Sequence, residues 1–261
     1  MMRSLWTSTT GMAAQTLNMD VIANNLANVQ TAGFKKSRAD FQDLLYQIMK
    51  VPGAPTSDDT TSPSGIQVGL GVKPAAVTKI FTEGDIVQTG NTLDIAIEGS
   101  GFFQVNLPDG NTAYTRAGTL KLDGTGRITT SDGYPIQPEI TIPEDARNVT
   151  ISETGIVSAI VGDSTTSTQL GTIDLADFAN PAGLIAIGKN MFRDTDASGV
   201  ALIGTPGSNG IGTLLQGYVE NSNVNMVEEL TQMITSQRAF EINSKVITTS
   251  DEMMRTVTNM V

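Results

Sequence analysis

Apolar side chains recur every seven residues through the last part of this 261-residue chain. Neither Pro nor Gly occurs after Gly217, and an apolar period near 3.5 residues over such a length predicts one long amphipathic helix. Asn221, Ser222 and Asn223 are favourable residues for its N-terminal cap. A helix over residues 225–261 would be about 55 Å long, at about 1.5 Å per residue, so we expect it to need a partner. The heptad positions, together with Leu230 beside them, are Met226, Met233, Phe240, Ile247, Met254 and Val261.

A second apolar stripe with the same spacing lies at the other end of the chain and predicts a helix over about residues 4–28. Its members are Leu5, Met12, Met19 and Leu26, with Gln15, Ile22 and Val29 three residues after the last three of them. Two such helices can pair as a coiled coil. The sequence therefore predicts an α+β chain, in which the two terminal helices form a coiled coil and an antiparallel β region is inserted between them.

The surface of the first helix is unusual, because residues 1–30 carry only two charged side chains, Arg3 and Asp20. An exposed helix normally carries many Glu and Lys residues, whereas small uncharged polar groups favour burial against protein. The helix pair could pack on the chain's own globular part or against other copies, and we favour the second interpretation. Asn24, Asn25 and Asn28 place three amides at the end of this helix, which predicts a hydrogen-bonding patch.

Charge and composition exclude several functions. The net charge is −11, and residues 51–218 carry most of it, with 18 acidic and 8 basic side chains; this argues against nucleic acid as a partner. The chain has no Cys and no His, so it lacks disulfides, thiolate metal sites and the usual general base. No apolar run is long enough to span a membrane, and we expect no membrane insertion. Residues 1–15 lack the pattern of a cleaved secretory signal.

The middle of the chain changes in character twice. Residues 39–50 have a short apolar period, which we interpret as helical or mixed. Residues 51–65 are rich in Pro, Gly, Ser and Thr and predict an extended loop, either a plain linker or an arm ordered by neighbouring subunits. The candidate residues of this inter-subunit loop are Pro52, Gly53, Pro55 and Pro63. From residue 66 to 217 the period is two, with a hairpin turn at Asp109, and this predicts antiparallel β structure.

No motif carries credible chemistry. Residues 183–190 nearly match a phosphate-binding loop, but Asn190 stands where the magnesium-binding hydroxyl should be. Residues 194–205 open like a calcium-binding loop, but Thr205 replaces the essential Glu. We therefore predict no catalytic residue, no metal and no cofactor, and a protein that is not an enzyme. The competing classes are a carboxylate-based hydrolase and an extracellular adhesin or fibre; no acid pair supports the first, and the absence of short repeats opposes the second.

Several segments resemble the bacterial flagellar rod and hook family. The most specific are residues 24–35 (NNLANVQTAGFK), 216–225 (QGYVENSNVN) and 237–245 (QRAFEINSK). Residues 3–6, 41–47 and 101–105 are also similar to family sequences, so the resemblance runs from end to end. It implies a structural subunit of the distal part of the rod, polymerised into the hollow drive shaft that transmits torque to the hook. The alternatives are a proximal rod or hook subunit, or another self-assembling extracellular filament protein.

The resemblance also implies partners and a location. The partners would be other copies of the chain, proximal rod proteins, the hook protein, the P and L ring proteins and the flagellar export apparatus. The location would be the flagellar basal body, crossing the periplasm and outer membrane within the rings, after export without a cleaved signal peptide.

The implied domains are a helical polymerisation domain (residues 1–30 plus 219–261), a connecting segment with the extended loop (31–65), an inner β domain (66–95 plus 185–218) and an outer β domain (96–184). Our candidate assembly interface combines both apolar stripes with the three amides. Its residues are Leu5, Met12, Met19, Ile22, Asn24, Asn25, Leu26, Asn28, Met226, Leu230, Met233, Phe240, Ile247 and Met254.

Overall fold

A computed structural model describes residues 2–53, 55–57, 60–61, 63–162, 166–208 and 210–259. The chain divides into two compact units. The two ends of the chain and Ser37–Lys79 form the first, which we call the terminal unit. Asn28–Lys36 and Ile80–Val224 form the second, which we call the β unit. The finer four-part division that the family resemblance implies remains a proposal.

The terminal unit contains both long helices, α1 (Met2–Ala27) and α2 (Met226–Asn259). Their bounds confirm the two predicted helices to within about two residues. The cap of α2 is Asn225, whose Oδ1 accepts hydrogen bonds from the backbone N–H groups of Val227 and Glu228 at 3.1 and 3.4 Å. The predicted caps, residues 221–223, lie before this position. Val261, the last predicted heptad residue, lies outside the described residues.

Six short strands complete the described part of the terminal unit, and all of them pair in antiparallel fashion: β1 with β6, β2 with β5, and β3 with β4. Their bounds are β1 (Ser37–Asp43), β2 (Tyr46–Lys50), β3 (Pro55–Ser57), β4 (Thr60–Thr61), β5 (Ile66–Gly69) and β6 (Val72–Lys79). Our interpretation of residues 39–50 as partly helical is wrong. A short apolar run cannot distinguish helix from strand, and here backbone pairing with β6 along all seven residues of β1 decides for strand.

The described residues of the β unit form sixteen strands, and the central sheet has the order β18-β19-β10-β9-β17-β20, with β13 also paired to β9. The unit also contains a three-stranded sheet (β14-β15-β16) and the strand pairs β8–β21, β7–β22 and β11–β12. The described strand pairs are antiparallel, which confirms the α+β class. The bounds are β7 (Ile86–Gln88), β8 (Ile95–Glu98), β9 (Phe102–Asn106), β10 (Thr112–Thr115), β11 (Lys121–Leu122), β12 (Ile128–Thr129), β13 (Ile136–Gln137), β14 (Ala146–Ile151), β15 (Ile156–Val161), β16 (Ser167–Thr172), β17 (Leu175–Asp177), β18 (Ile185–Gly188), β19 (Met191–Arg193), β20 (Leu202–Gly204), β21 (Thr213–Gln216) and β22 (Tyr218–Glu220).

The hydrophobic cores of the two units differ sharply. In the β unit, a large cluster of aliphatic side chains surrounds Phe103, which is fully buried. A second cluster is aromatic and packs edge to face, as in the Tyr114–Phe178 pair, whose ring centroids are 4.8 Å apart. Among the side chains described in the terminal unit, the only buried apolar ones are Ala14 and Ile22. The terminal unit therefore lacks a core of the size that stabilises an independent domain.

Candidate assembly surface

A polar contact between α1 and α2 repeats every seven residues on both helices. We call these positions the polar ladder. Its facing pairs are Ser4 with Ser250, Gly11 with Asn243, Asn18 with Ser236, and Asn25 with Glu229. Because residue numbers rise along α1 as those of their partners fall along α2, the two helices run antiparallel.

Each rung of the polar ladder is a short contact. Asn18 Nδ2 donates to Ser236 Oγ at 2.8 Å, and the Ser4 and Ser250 hydroxyls are 3.4 Å apart. At Gly11 the packing is so close that an added Cβ would lie 3.0 Å from Nδ2 of Asn243. Ser236 and Ser250 are buried. Small side chains thus let the two helices approach closely, with hydrogen bonds where a leucine seam would have apolar contacts.

The predicted apolar stripes lie beside the polar ladder. Leu5, Met12, Met19 and Leu26 each follow a ladder residue of α1 and are half-buried, whereas Ile22 is buried. On α2, Met233, Ile247 and Met254 are half-buried, and Met226, Leu230 and Phe240 are 46%, 42% and 36% exposed. We expected these residues to form the seam; within one chain the hydrogen bonds between the helices lie on the polar ladder beside them, and the role of the stripes in assembly stays a prediction. Spacing alone could not reveal this, because both the apolar stripe and the polar ladder have a period of seven.

The three amides at the end of α1 have different surroundings. Asn25 is buried; its Oδ1 accepts from Ser37 N–H at 2.9 Å, and its Nδ2 donates to Ser37 O at 2.8 Å and to Glu229 Oε2 at 3.1 Å. Asn25 therefore joins α1, the start of β1 and α2. Asn24 is exposed. Asn28 Oδ1 accepts from the Thr31 hydroxyl at 3.3 Å, which is local turn chemistry.

A second apolar surface occupies the C-terminal half of α2. Ile242, Val246 and Met253 line an open groove of about 430 Å³, and all three are exposed. The groove is completed by Ser4, Lys245, Thr249 and Ser250. These exposed residues follow helical spacing, so α2 presents apolar surface on both sides of the polar ladder.

The segment predicted as an extended loop, residues 51–65, contains the paired strands β3 and β4 and lies between β2 and β5, which also pair. We call residues 45–69 the hairpin arm. Pro52, Gly53 and Pro63 are exposed. Pro55 begins β3, its side chain lies outside the described residues, and so do residues 54, 58, 59 and 62. The arm also carries exposed apolar side chains, which are Leu45, Tyr46, Ile48, Met49, Val51 and Ile66. A two-stranded hairpin with so much exposed apolar surface is only marginally stable alone.

Inside the β unit, the buried carboxylate of Glu220 joins the segment that follows α1 to the strand that precedes α2. Glu220 Oε1 accepts from Lys35 Nζ at 2.6 Å and Oε2 accepts from Arg116 Nε at 2.8 Å. Both pairs are almost fully buried. Burial opposes the charged form of Glu220, but Arg116 and Lys35 outweigh it and hold the pKa of this carboxyl below its ordinary value. Sequence reasoning missed this cluster, because its members lie far apart in the chain.

Two further hydrogen bonds join the segment after α1 to the segment before α2. Lys36 N–H donates to Asn223 Oδ1 at 2.7 Å. Gly33 N–H donates to Glu220 O at 2.8 Å, and Gly33 has a φ of 68°, with a Cβ there falling 2.6 Å from the Ala117 nitrogen. This explains the glycine in the segment NNLANVQTAGFK, since a larger residue would be strained and would clash.

The two motifs that resembled ligand-binding loops are ordinary turns. Residues 183–190 contain the end of a 3₁₀ turn, strand β18 and a tight turn at Lys189 and Asn190, both with positive φ. In residues 194–199, the Ser198 hydroxyl accepts from Thr195 N–H at 2.9 Å. Within the described ranges, no three acidic side chains are grouped so that they could hold a metal ion. No helix in the described part of the chain is long and apolar enough to cross a membrane.

Known sequences match this chain along its length. Residues 5–35 match the family model "Flagella basal body rod protein", residues 96–159 "Flagellar hook protein FlgE/F/G D1 domain", and residues 215–260 "Flagellar basal body rod FlgEFG protein C-terminal". These three matched ranges include α1 from residue 5 onward, all of α2, and β9 and β10 of the central sheet.

Relatives in three distant organisms carry the same name, "Flagellar basal-body rod protein FlgG". The one from Buchnera aphidicola subsp. Schizaphis graminum is 52% identical over 260 residues, covering 100% of both chains. That from Borreliella burgdorferi is 50% identical, over 100% of this chain and 99% of the relative. That from Bacillus subtilis is 41% identical, with the same coverage. The chain therefore belongs to the FlgG family of flagellar basal-body rod proteins, which is a structural family and not a family of enzymes.

Proposed function

We propose that the chain polymerises through its terminal unit into the hollow drive shaft of the distal rod, which transmits torque to the hook. The observation that carries this proposal is the contrast between the two units. The β unit buries a large apolar core, while the terminal unit buries two apolar side chains among those described and leaves both of its apolar stripes partly exposed. Contiguous exposed apolar surface of this kind is typical of a protein interface, and further copies of the chain would cover it.

In this proposal, α1 and α2 of each copy pair as a coiled coil, and the apolar stripes beside the polar ladder contact the helices of neighbouring copies. The remaining partners are those of a rod: proximal rod proteins, the hook protein, the P and L ring proteins and the flagellar export apparatus. The proposed location is the basal body, where the shaft crosses the periplasm and outer membrane within the rings.

The hairpin arm is proposed as a second contact between subunits, centred on Pro52, Gly53, Pro55 and Pro63. Its apolar side chains are exposed in the single chain, and prolines lower the entropy lost when the arm is ordered. Deleting residues 53–64 should leave the helices able to polymerise but give softer or curved rods, because lateral contacts are lost. Straight rods of normal stiffness from this deletion would return the arm to the role of a plain linker.

The test of the assembly surface places a charge on the apolar stripe of α2. Leu230→Lys combined with Phe240→Lys should abolish tubes seen by electron microscopy, because a charge would have to be buried between copies. The matched control is Thr231→Lys combined with Gln237→Lys, on exposed polar positions of the same helix. Circular dichroism and thermal unfolding should show an unchanged β unit in both variants. Tubes formed equally well by the stripe variant and the control would contradict the proposal.

A further inference from the structure

We infer that the polar ladder is a specificity device, which fixes the register of α1 against α2 and makes α1 select an α2 that carries the matching polar residues. Four pairs at seven-residue intervals satisfy one antiparallel register along the length of α1. The inference concerns pairing within one chain, so it does not depend on polymerisation.

A shift by a number of residues that is not a multiple of seven would take the ladder positions of α1 out of line with those of α2. The hydrogen bonds between the helices would then be broken, and the buried Glu229 would lose the one that it accepts from Asn25. A polar group buried without a partner is strongly unfavourable, and a single buried Asn is known to fix register in helix pairs. Small register errors are therefore penalised at every rung.

A shift by one whole heptad keeps polar residues opposite one another but mismatches their sizes. In the observed register, the absent side chain of Gly11 accommodates the amide of Asn243, and the amide of Asn18 faces the small Ser236. Moving α2 by seven residues would set Asn18 against Asn243 or Gly11 against Ser236, giving overcrowding or a void. The shift would also break the hydrogen bond between Asn25 and Glu229, and Glu229 is buried.

The same complementarity selects the partner helix. A helix from a related axial subunit with apolar or bulky residues at the positions of Ser236 and Asn243 would leave Asn18 unpaired and clash at Gly11. Discrimination against wrong partners through unpaired polar groups is an established route to specificity. The apolar stripe cannot supply it, because leucine and methionine pack with one another in many registers.

Disulfide trapping in the full-length chain tests this inference, and the chain offers a clean background because it has no Cys. Ser4→Cys with Ser250→Cys reports the observed register, and Ser4→Cys with Val257→Cys reports a shift of one heptad. Position 257 lies about 10.5 Å along the helix from position 250, beyond the Cα separation of about 7 Å that a disulfide spans. We expect the first pair to form an intramolecular disulfide and the second to form essentially none.

The decisive variant replaces the two inner rungs with apolar side chains: Gly11→Ala, Asn18→Leu, Ser236→Leu and Asn243→Leu. The ratio of in-register to shifted disulfide should fall at least about tenfold. The matched control makes the same number of changes in the apolar stripe: Met12→Leu, Met19→Leu, Met233→Leu and Met254→Leu. It should keep the original ratio. A shifted disulfide forming as fast as the in-register one in the unchanged ladder, or an unaltered ratio in the ladder variant, would each overturn the inference.

Discussion

Lys35 Nζ donates a 2.6 Å hydrogen bond to Glu220 Oε1 across 185 residues of sequence, and both side chains are 1% exposed. Lys35 follows α1 in the chain, and Glu220 ends the strand that precedes α2. Because Arg116 binds the other carboxylate oxygen, one buried anion joins three remote segments. The ion cluster thus joins the segment that follows α1 to the strand that precedes α2.

Removing the central carboxylate should be strongly destabilising. Glu220→Ala leaves Lys35 and Arg116 buried without their anion, and breaking a buried pair in this way typically costs about 3–5 kcal/mol. Denaturant unfolding of the β unit, followed by circular dichroism, measures the loss. Glu241→Ala is the control, because its partner Arg238 is 74% exposed and such surface pairs contribute about 0–1 kcal/mol. Equal effects of the two variants would contradict this assignment.

The same carboxylate predicts how stability depends on pH. The pKa of Glu220 is lowered in the folded chain from its ordinary value of 4.5, so the unfolded state binds its proton first as pH falls. The stabilisation is therefore complete above about pH 5.5 and is lost progressively as pH drops through 4.5 toward the folded pKa. Denaturant midpoints across pH 3–7 should fall more steeply in the parent chain than in Glu220→Gln. Parallel curves for the two proteins would show that Glu220 is not the titrating group.

The β unit should fold without the terminal helices. A fragment spanning residues 28–224 retains both parts of this unit, including the large aliphatic cluster and the buried ion cluster. It should be soluble and rich in β structure, and Phe103→Ala should destabilise it by about 3–5 kcal/mol. Leu122→Ala, at a site 43% exposed, is the control and should have little effect. A fragment that stays unfolded in circular dichroism would show that the terminal helices are needed for the β core.

Two neighbouring amides on α1 should respond differently to the same substitution. Asn25→Ala removes the hydrogen bonds to Ser37 and Glu229, leaving buried groups unpaired at a cost of about 1–3 kcal/mol. Amide hydrogen exchange at β1 and at the ends of α1 and α2 should accelerate. Asn24→Ala, on an exposed position, should leave exchange nearly unchanged. Equal protection in the two variants would mean that Asn25 does not hold the three segments together.

Much of the fold followed from pattern alone. The long apolar repeats with no Pro or Gly predicted both helices, and the turn at Asp109 predicted the β9–β10 hairpin, whose register pairs Val105 with Ala113. Residues 39–50 were misread because a short apolar run fits either period, and only pairing with a distant strand resolves it. The cap of α2 was misplaced by a few residues because the region 221–225 contains four residues of good capping type.

The candidate surface was harder to predict, because it depends on which of two superimposed seven-residue repeats faces the partner helix. Leu5 and Ser4 are neighbours in sequence, and hydrophobicity favoured Leu5 for the seam. The alternative signal was present in the sequence as Ser4, Gly11, Asn18 and Asn25 at seven-residue intervals, matched by Glu229, Ser236, Asn243 and Ser250. The Lys35–Glu220–Arg116 cluster left no such periodic signal, since a charge cluster is created only when the fold brings distant strands together.

The central claim is that the terminal unit provides the contacts for polymerisation, whereas the β unit folds independently of it. Its most direct test is electron microscopy of the full-length chain beside a chain ending at Val246. The truncation removes Ile247 and Met254 from the apolar stripe, at about 1.5–3 kcal/mol for each side chain that assembly would bury. We predict hollow tubes from the full-length chain and none from the truncated one, with the circular dichroism of the β unit retained. Tubes of normal form from the truncated chain would contradict the account.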